Sequence, residues 1–298
     1  MKKEEIKETY MKEQQYIIEN NKSFKLKDIF ECGQCFRWNK QEDNTYIGVF
    51  EENVIQVKQE ENKIIFTGIC KKDIKETIDK YFDLERDYEK IKNKLSKIDE
   101  NMETSIKYGQ GIRILNQDLW ETIISFIISA NNNIPRIKGI IEKLSKTYGR
   151  KIIYDNKLYY TFPTPEELKN VTVEEYRKLG LGFRDKRIYE TTKMILEKEI
   201  DIEKMKKNPN TLEVKEELLK LSGVGPKVAD CILLFSKLKR FEVFPIDVWV
   251  RRVINDLYIK SEEEEKVSKK QIEKIAEEKF GNLAGIAQQY LFYWRREA

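Results

Sequence analysis

The hydrophobic pattern of the chain changes near residue 105, and this change limits the folds that the chain can adopt. Before that point, apolar residues form short β-branched or aromatic runs at residues 46–50, 54–58 and 63–67. Acidic and asparagine residues separate these runs, which is typical of an antiparallel meander. After that point, apolar residues recur at helical spacing. We therefore predict an α+β protein, with an N-terminal antiparallel β-sheet domain over residues 1–105 and a mostly α-helical domain over residues 106–298.

The second domain is rich in signals that start and stop helices. Capping boxes begin at Thr164 and Thr172, and Gly180 follows the second box. A charged, helix-favouring stretch at residues 83–99 precedes the domain boundary. Further helices are predicted at residues 119–129, 134–148, 185–199, 211–221, 226–237, 248–258, 269–280 and 284–296.

The chain contains no histidine among its 298 residues. This excludes Ser-His-Asp and Cys-His catalysis and every zinc site that needs histidine. Any nucleophile or proton carrier must therefore be Lys, Asp, Glu, Cys or Tyr. The cysteines are too few and too scattered for a disulfide scaffold or an iron–sulfur cluster. We expect free thiols at Cys32, Cys35, Cys70 and Cys231.

Charge and hydropathy indicate where the protein works. The net charge is +4, and a modest excess of basic residues at 221–260 would suit a polyanionic partner. The longest apolar stretch, near residues 123–130, is far shorter than the roughly 20 residues that span a bilayer. We expect a soluble, intracellular protein that does not associate with membranes.

Residues 218–231 carry the most informative motif, Leu-Leu-Lys-Leu-Ser-Gly-Val-Gly-Pro-Lys-Val-Ala-Asp-Cys. Two predicted helices flank a turn that contains Gly223, Val224 and Gly225, and Pro226 starts the second helix. Glycines allow the backbone to approach a ligand closely, and a helix N-terminus presents free amides to an anion. The hairpin can therefore hold a DNA phosphate independently of sequence. An ordinary αα-corner would show the same two glycines.

Lys227 is the second residue of that helix, where the positive end of the helix dipole disfavours an ammonium group. We therefore predict a depressed pKa for Lys227 and a role as nucleophile, because the neutral amine is the form that attacks carbon. Cys231 lies four residues later, on the same helix face. A lone lysine would otherwise be interpreted as a solvated side chain.

Asp247 follows Phe-Pro-Ile and precedes an apolar-periodic helix, so we predict that it is the N-cap of that helix. Helix amides favour the ionised form of a carboxylate that they hold. Such a group is suited to stabilising positive charge that develops on a sugar, and it is a poor general base. Capping alone would also explain the residue.

Together these segments resemble the helix-hairpin-helix DNA glycosylases that use a lysine nucleophile. Further motifs narrow the resemblance to the 8-oxoguanine DNA glycosylase/AP lyases of the HhH-GPD superfamily, in family order across residues 32–292. They are Cys-Gly-Gln-Cys-Phe-Arg-Trp at 32–38, Ser-Ala-Asn-Asn-Asn-Ile-Pro-Arg at 129–136, Leu-Gly-Leu-Gly-Phe-Arg at 179–184 and Gly-Ile-Ala-Gln-Gln-Tyr-Leu-Phe at 285–292. The resemblance implies an active site in the cleft between the domains, which receives a base flipped out of the duplex.

The resemblance also implies roles for the residues of the base pocket. 8-Oxoguanine differs from guanine by a carbonyl at C8 and a hydrogen on N7, and the backbone carbonyl of Gly33 would accept that hydrogen. Gln288 would contact the Watson–Crick edge, while Cys231 and Phe292 would sandwich the ring. A mismatched buried polar group costs about 1–3 kcal/mol, so one such contact can discriminate 8-oxoguanine from guanine.

Other residues resemble those that handle the rest of the duplex. Phe183 resembles the residue that fills the gap left by the flipped base. Asn131, Arg136 and Arg184 resemble the set that contacts the orphaned cytosine. The resemblance therefore implies double-stranded DNA with 8-oxoguanine opposite cytosine as the partner.

The implied mechanism needs no redox cofactor and no catalytic metal. Lys227 attacks the anomeric carbon, the base leaves, and Asp247 offsets the positive charge on the sugar. The resulting Schiff base permits β-elimination, which nicks the strand on the 3′ side of the lesion. The resemblance also implies a structural cation held by the backbone carbonyls of Leu219, Leu221 and Val224.

Two positions depart from the pattern of many relatives. Trp249 stands where a histidine is common, and Arg295 stands near the C-terminus where an acid is common. One hypothesis is that the two are partners that changed together, with effects on phosphate contacts and rate rather than on the reaction class.

Two alternative functions stay open from the sequence. One is a helix-hairpin-helix glycosylase for another damaged base, and the other is a non-catalytic DNA-binding helix-hairpin-helix protein. We expect a monomer that works in the cytoplasm with the chromosome.

Overall fold

The computed structural model describes residues 12–19 and 23–297. Its strands are β1 (Glu13–Glu19), β2 (Trp38–Lys40), β3 (Tyr46–Phe50), β4 (Asn53–Glu60), β5 (Lys63–Ile69), β6 (Lys151–Tyr154) and β7 (Lys157–Tyr160). The first five strands form an antiparallel sheet in the order β1-β5-β4-β3-β2, and β6 and β7 form a separate hairpin. The predicted meander of β3, β4 and β5 is confirmed, whereas β1, β2 and the β6–β7 hairpin lie outside the predicted runs.

Helices dominate the remainder of the described residues. They are α1 (Leu26–Phe30), α2 (Ile74–Tyr81), α3 (Tyr88–Ser96), α4 (Glu100–Tyr108), α5 (Leu119–Ser129), α6 (Ile134–Tyr148), α7 (Pro165–Leu168), α8 (Val173–Lys178), α9 (Asp185–Leu196), α10 (Ile202–Lys207), α11 (Thr211–Lys220), α12 (Pro226–Phe235), α13 (Val248–Ile254), α14 (Lys269–Phe280) and α15 (Ala284–Glu297). Both capping boxes form, at Thr164 and Thr172. The helix predicted over residues 248–258 is α-helical only to Ile254, because a π turn, Asn255–Ile259, follows.

The central strand β4 is covered on both faces. Ile55 packs with apolar residues of α1 and α2 on one side of the sheet. Val54 packs on the other side with Ile152 and Tyr154 of the β6–β7 hairpin. Successive side chains of a strand point to opposite faces, so β4 carries consecutive apolar residues.

The link between the two domains is polar and buried. Gln34, in the loop after α1, donates to the Arg113 carbonyl at 2.7 Å and accepts from the Leu115 amide at 2.9 Å. Arg113 in turn donates to the Phe82 carbonyl at 3.0 Å. Because these groups satisfy one another, the loop at residues 31–35 is fixed between the sheet and the helices.

Lys239 adds a charged contact to this junction. Its Nζ lies 3.3 Å from Oδ2 of Asp83 and donates to the carbonyl of Ile114. Burial lowers the pKa of Lys239 to about 7, against the opposing effect of Asp83. The lysine therefore connects the sheet domain to the helical domain by its contacts with Asp83 and Ile114, although burying its ammonium group is costly.

Three further expectations concern the chain as a whole. All four cysteines are buried free thiols. Among the described residues, no helix has the length and apolar character needed to cross a membrane. The sequence predicts no role for residues 1–21, of which 13–19 form β1, while 1–11 and 20–21 lie outside the described residues.

Candidate active site

The predicted helical hairpin is formed by α11, a short turn and α12. The Val224 amide donates to the Leu221 carbonyl at 3.1 Å and closes the turn. Gly223 has a φ of +85°, which glycine adopts without strain, and Gly225 faces open space. Gly225 is the N-cap of α12, so within the described part of the chain no side chain caps this helix. The first amides of α12 are therefore available to a phosphate.

Lys227 lies in the first turn of α12 and is partly buried. Its Nζ is 5.9 Å from the ring centroid of Phe126 and lies near the Cys231 thiol, which influences its pKa. The spacing of four residues along the helix explains this contact. Burial raises the pKa of the Cys231 thiol to about 11, so the thiol is neutral at physiological pH.

The predicted depression of the Lys227 pKa is wrong for the free protein. Cys231 raises this pKa most and Asp247 adds to the effect, and together they outweigh burial, which lowers it. Groups that can carry negative charge favour the ammonium form, and at Lys227 this effect is larger than the cost of burial. The resemblance assigns the attack to the neutral amine, a form that the raised pKa disfavours.

Asp247 caps α13, as predicted. Its Oδ1 accepts from the Val250 amide at 2.8 Å, which fixes the carboxylate at the N-terminus of the helix. The same carboxylate is close enough to Lys227 to raise the pKa of the lysine. An amine in the first turn of α12 and a carboxylate at the N-cap of α13 thus lie close enough to interact electrostatically, an arrangement suited to attack on a carbon that gains positive charge.

A narrow apolar niche lies between α13 and α15 and has no room for a water molecule in the free protein. Its lining residues are Phe244, Val250, Val253, Ile254, Gln288, Leu291 and Phe292. Oε1 of Gln288 is buried and has no hydrogen-bond partner among the described residues. A buried acceptor of this kind costs about 1–3 kcal/mol, which a donor on a bound ligand would offset.

Gly33 lies beside this niche, as the resemblance implies. Its φ is +90°, and a Cβ at this position would lie 3.9 Å from Cε1 of Phe292. Nε2 of Gln289 donates to the Cys32 carbonyl at 2.6 Å. The helix α15 therefore both supplies Phe292 and fixes the loop that carries Gly33.

The residues predicted to face the opposite strand lie together around the ends of α5 and α9. Phe183 is 54% exposed, and the guanidinium carbon of Arg184 lies 4.2 Å from its ring centroid. Asn131 is exposed with a φ of +51°, and Arg136 is exposed and donates to the Gly180 carbonyl at 3.2 Å. An exposed aromatic side chain and two exposed polar side chains thus lie on one part of the surface.

Arg184 is held differently from the other residues of this set. It is buried, and its guanidinium donates to the carbonyls of Ala130 at 3.0 Å, Asn131 at 2.8 Å and Leu181 at 3.3 Å. In the free protein it therefore organises the turn at residues 130–131, and a direct contact with a base would require these bonds to rearrange.

Two family models match adjoining parts of the chain. Residues 16–123 match the 8-oxoguanine DNA glycosylase, N-terminal domain, and residues 124–280 match the HhH-GPD superfamily base excision DNA repair protein. The chain belongs to the HhH-GPD superfamily, in its 8-oxoguanine DNA glycosylase family. The predicted family is therefore confirmed.

Individual relatives of this glycosylase-family chain agree with the assignment. It is 34% identical over 258 residues to the N-glycosylase/DNA lyase of Saccharomyces cerevisiae, which covers 78% of this chain and 68% of that protein. It is 31% identical over 253 residues to the probable N-glycosylase/DNA lyase of Methanothermobacter thermautotrophicus, which covers 78% of each.

A solved structure in the same family confirms the fold class. The Clostridium acetobutylicum 8-oxoguanine glycosylase/lyase, in complex with double-stranded DNA containing cytosine opposite 8-oxoG, is 44% identical with a TM-score of 0.89. The match covers 96% of this chain and 97% of that one. The domain boundary near residue 105 stays a prediction.

The structural cation that the resemblance implies in the hairpin stays a prediction. Leu219 lies in the last turn of α11, and Leu221 is the C-cap, whose carbonyl accepts from the Val224 amide at 3.1 Å. Backbone carbonyls are suitable ligands for hard cations. No group of three or more His, Cys, Asp or Glu side chains that could hold a metal occurs in the part of the chain that the structure describes.

The hypothesis that Trp249 and Arg295 are partners that changed together stays a prediction. Nη2 of Arg295 pairs with Oδ2 of Asp256 at 3.1 Å. Trp249 is 40% exposed at the N-terminus of α13.

Sequence reasoning missed residues that support this site. Phe126 contacts Lys227, and Gln289 holds the loop of Gly33, yet both look like ordinary helix residues in the sequence. Arg296 was missed as well. Its spacing of four residues from Phe292 is the signal that could have found it, because the two share a face of α15.

Proposed function

We propose that the protein is a bifunctional DNA glycosylase/AP lyase that excises 8-oxoguanine opposite cytosine from duplex DNA in base excision repair. One observation carries the proposal: from the N-terminus of α13, the carboxylate of Asp247 raises the pKa of the Lys227 amine, and the buried Oε1 of Gln288 has no partner among the described residues. A hairpin that only binds DNA needs none of these groups. The yeast and Clostridium relatives carry names that state the same two activities.

The hairpin would bind the damaged strand through its backbone. The free amides at the start of α12 face a phosphate without reading sequence. A cation on the carbonyls of Leu219, Leu221 and Val224 would add positive charge beside the same phosphate. Such contacts fix the position of the duplex, and the specificity must come from the niche.

The opposite strand would be held at the other edge of the cleft. Phe183 fills the gap left by the flipped base, and the exposed Asn131 and Arg136 contact the orphaned cytosine. Arg184 supports them, because it holds the turn that carries Asn131. This set gives the preference for cytosine opposite the lesion.

Recognition of the lesion requires the niche to open. The base enters between Cys231 and Phe292, and Oε1 of Gln288 accepts a hydrogen bond from its Watson–Crick edge. The carbonyl of Gly33 accepts the N7 hydrogen of 8-oxoguanine. Guanine would present an N7 acceptor to the same carbonyl, which disfavours guanine by about 1–3 kcal/mol.

Entry of the base would also activate Lys227. The base separates Nζ from the Cys231 thiol, the contact that raises the lysine pKa most, and it excludes water. Both changes favour the neutral amine. Nζ then attacks C1′, the C1′–N9 bond breaks, and Asp247 offsets the positive charge on the sugar. The adduct opens to a Schiff base, and β-elimination cleaves the strand on the 3′ side.

Borohydride trapping tests the proposal. Duplexes with a single 8-oxoguanine opposite each of the four bases are incubated with protein and sodium borohydride, and covalent adducts are separated by gel electrophoresis. We expect the strongest adduct opposite cytosine and none with Lys227→Gln. Lys274→Gln, which changes an exposed lysine of α14, is the matched control and should trap normally.

The same experiment separates the alternatives. An adduct that forms only with another damaged base, such as an oxidised pyrimidine, would assign the protein a different substrate. Binding of the duplex with neither an adduct nor base release would indicate a non-catalytic DNA-binding protein.

A further inference from the structure

The C-terminal helix brings an arginine to the edge of the base niche. Arg296 lies one turn after Phe292 on α15, and its guanidinium carbon is 5.4 Å from the Phe292 ring centroid. A Cβ at Gly33 would lie 3.3 Å from Nη1 of Arg296. The Nη2 atom donates to the Glu31 carbonyl. The guanidinium therefore stands between Gly33 and Phe292, where the five-membered ring of the lesion enters.

The surroundings of Arg296 hold it in place. The donation to Glu31 ties the guanidinium to the loop that carries Gly33. The Cys32 thiol also lies nearby, and burial raises its pKa to about 11, so it is neutral at physiological pH. A guanidinium that carries several N–H groups thus lies at the edge of the niche, next to Phe292 and Gly33.

We propose that Arg296 is a specificity-determining residue that donates a hydrogen bond to the C8 carbonyl oxygen of the flipped base. The inference rests on the proposed function, in which N7 of the base faces Gly33. C8 is bonded to N7, so a guanidinium beside Gly33 lies next to the oxygen on C8. Guanine carries a hydrogen at C8 and offers no acceptor there. Gly33 and Arg296 thereby recognise the two neighbouring atoms that distinguish the lesion.

The same contact assists departure of the base. When Nζ of Lys227 bonds to C1′ and the C1′–N9 bond breaks, the electron pair leaves on N9. N9 is bonded to the C8 carbonyl, so the negative charge spreads to the C8 oxygen, where the guanidinium of Arg296 stabilises it. The attacking amine gives up one proton and the departing base takes up one, so the net charge is unchanged. Guanine has no such oxygen and departs more slowly.

Two substrates distinguish this role from a structural one. The first is a duplex with 8-oxoguanine opposite cytosine, and the second is a duplex with a preformed abasic site opposite cytosine, which lacks the base. Single-turnover base release and strand nicking are measured for the unaltered protein, Arg296→Met and Arg296→Lys. Arg150→Met is the matched control, because Arg150 is an exposed arginine that pairs with Glu52 and Glu167.

We expect Arg296→Met to lower the rate of 8-oxoguanine release by about 10- to 100-fold, since a donor to developing negative charge is lost. Arg296→Lys should restore part of the rate. Nicking of the preformed abasic site should stay at the level of the unaltered protein and of Arg150→Met, because no base is present for Arg296 to contact.

Other outcomes would overturn the inference. Unchanged or faster base release by Arg296→Met would mean that the guanidinium only obstructs the niche. Equal losses on both substrates would mean that Arg296 acts on the fold or on Lys227 instead of on the base. If the unaltered protein nicks the abasic site and does not release 8-oxoguanine, the proposed substrate fails, and the assignment of Arg296 fails with it.

Discussion

Two partly buried lysines of the helical domain have acidic neighbours that raise their pKa values, yet the two pKa values shift in opposite directions, because burial outweighs the neighbours only at Lys239. Lys239, at the domain junction, contacts Asp83 and the Ile114 carbonyl, and burial lowers its pKa to about 7. Lys227, in the hairpin, contacts the neutral thiol of Cys231, and its pKa is raised. If the pKa alone identified the nucleophile, Lys239 would be chosen.

Position and access decide between the two lysines. The side chain of Lys239 is 11% exposed, and its Nζ is occupied by a carboxylate and a carbonyl. Lys227 lies beside the free amides of α12 and the carboxylate of Asp247. A perturbed pKa can therefore result from burial alone and does not identify a nucleophile. A nucleophile also needs access to substrate and a group that stabilises the transition state.

Replacing each lysine by glutamine should separate their roles most strongly. Lys227→Gln should lower 8-oxoguanine release by at least about 1000-fold, because the attacking amine is lost. Lys239→Gln should release the base at nearly the rate of the unaltered protein, because Lys239 faces the domain junction. Single-turnover gel assays measure both rates. A folded Lys239→Gln protein that is as inactive as Lys227→Gln would reverse the assignment.

Asp247→Asn tests the carboxylate near Lys227. Lys239 also has a carboxylate neighbour, Asp83, but that residue does not cap a helix next to the hairpin. Asparagine caps helices as well as aspartate does, so α13 and the stability of the protein should be retained. The rate of base release should fall by about 100- to 1000-fold, because the charge that stabilises the sugar is lost. Duplex affinity, measured by fluorescence anisotropy, should change little. A loss of affinity as large as the loss of rate would assign Asp247 to DNA binding.

Lys239 should make stability depend on pH. Its pKa is about 7 in the folded protein against a usual value of 10.5. Between these values the unfolded chain binds more protons, so the free energy of unfolding should rise with pH, by about 1.4 kcal/mol per pH unit. Lys239→Met should remove this slope. Urea unfolding at several pH values between 7 and 10 measures it.

The matched control for this prediction is Lys237→Met, which changes an exposed lysine paired with Glu51. It should keep the slope of the unaltered protein. Equal slopes for Lys237→Met and Lys239→Met would show that the junction lysine is not the group that titrates.

The smallest effect is expected at Gln288, whose buried Oε1 lacks a partner in the free protein. Gln288→Met should raise the free energy of unfolding by about 1 kcal/mol, because an unsatisfied acceptor is removed. Lesion affinity should fall by about tenfold, because the contact with the base is lost. Both are measured in the Lys227→Gln background, which prevents cleavage. Lower stability with unchanged affinity would make Gln288 a structural residue, like the polar groups of the junction.

Much of the fold follows from local patterns. The helices α5 and α6 match their predicted bounds, because Asp118 and Asn133 cap a clear apolar periodicity. The edge strand β1 could not be predicted in this way, because it alternates exposed and half-buried residues and its apolar pattern is weak. The β6–β7 hairpin owes its place to packing of Ile152 on the outer face of the sheet, which no local pattern reveals.

The candidate site also has features that the sequence predicts and features that it does not. The hairpin, Lys227 and the cap at Asp247 could be predicted, because each depends on spacing within a few turns of helix. The direction of the Lys227 pKa could not, since it depends on the burial of Cys231 and on a carboxylate from another helix. The contact of Gln289 with the loop at residues 31–33 joins residues 257 positions apart and exists only in the folded chain.

The attacking amine can be located directly by mass spectrometry. Protein trapped by borohydride on the duplex with 8-oxoguanine opposite cytosine is digested with nuclease and protease, and the remaining sugar is mapped to one residue by fragmentation. We expect the sugar on Lys227, with Lys239 unmodified. A sugar on Lys239 or on the N-terminal amine, with Lys227 unmodified, would contradict the assignment of the nucleophile.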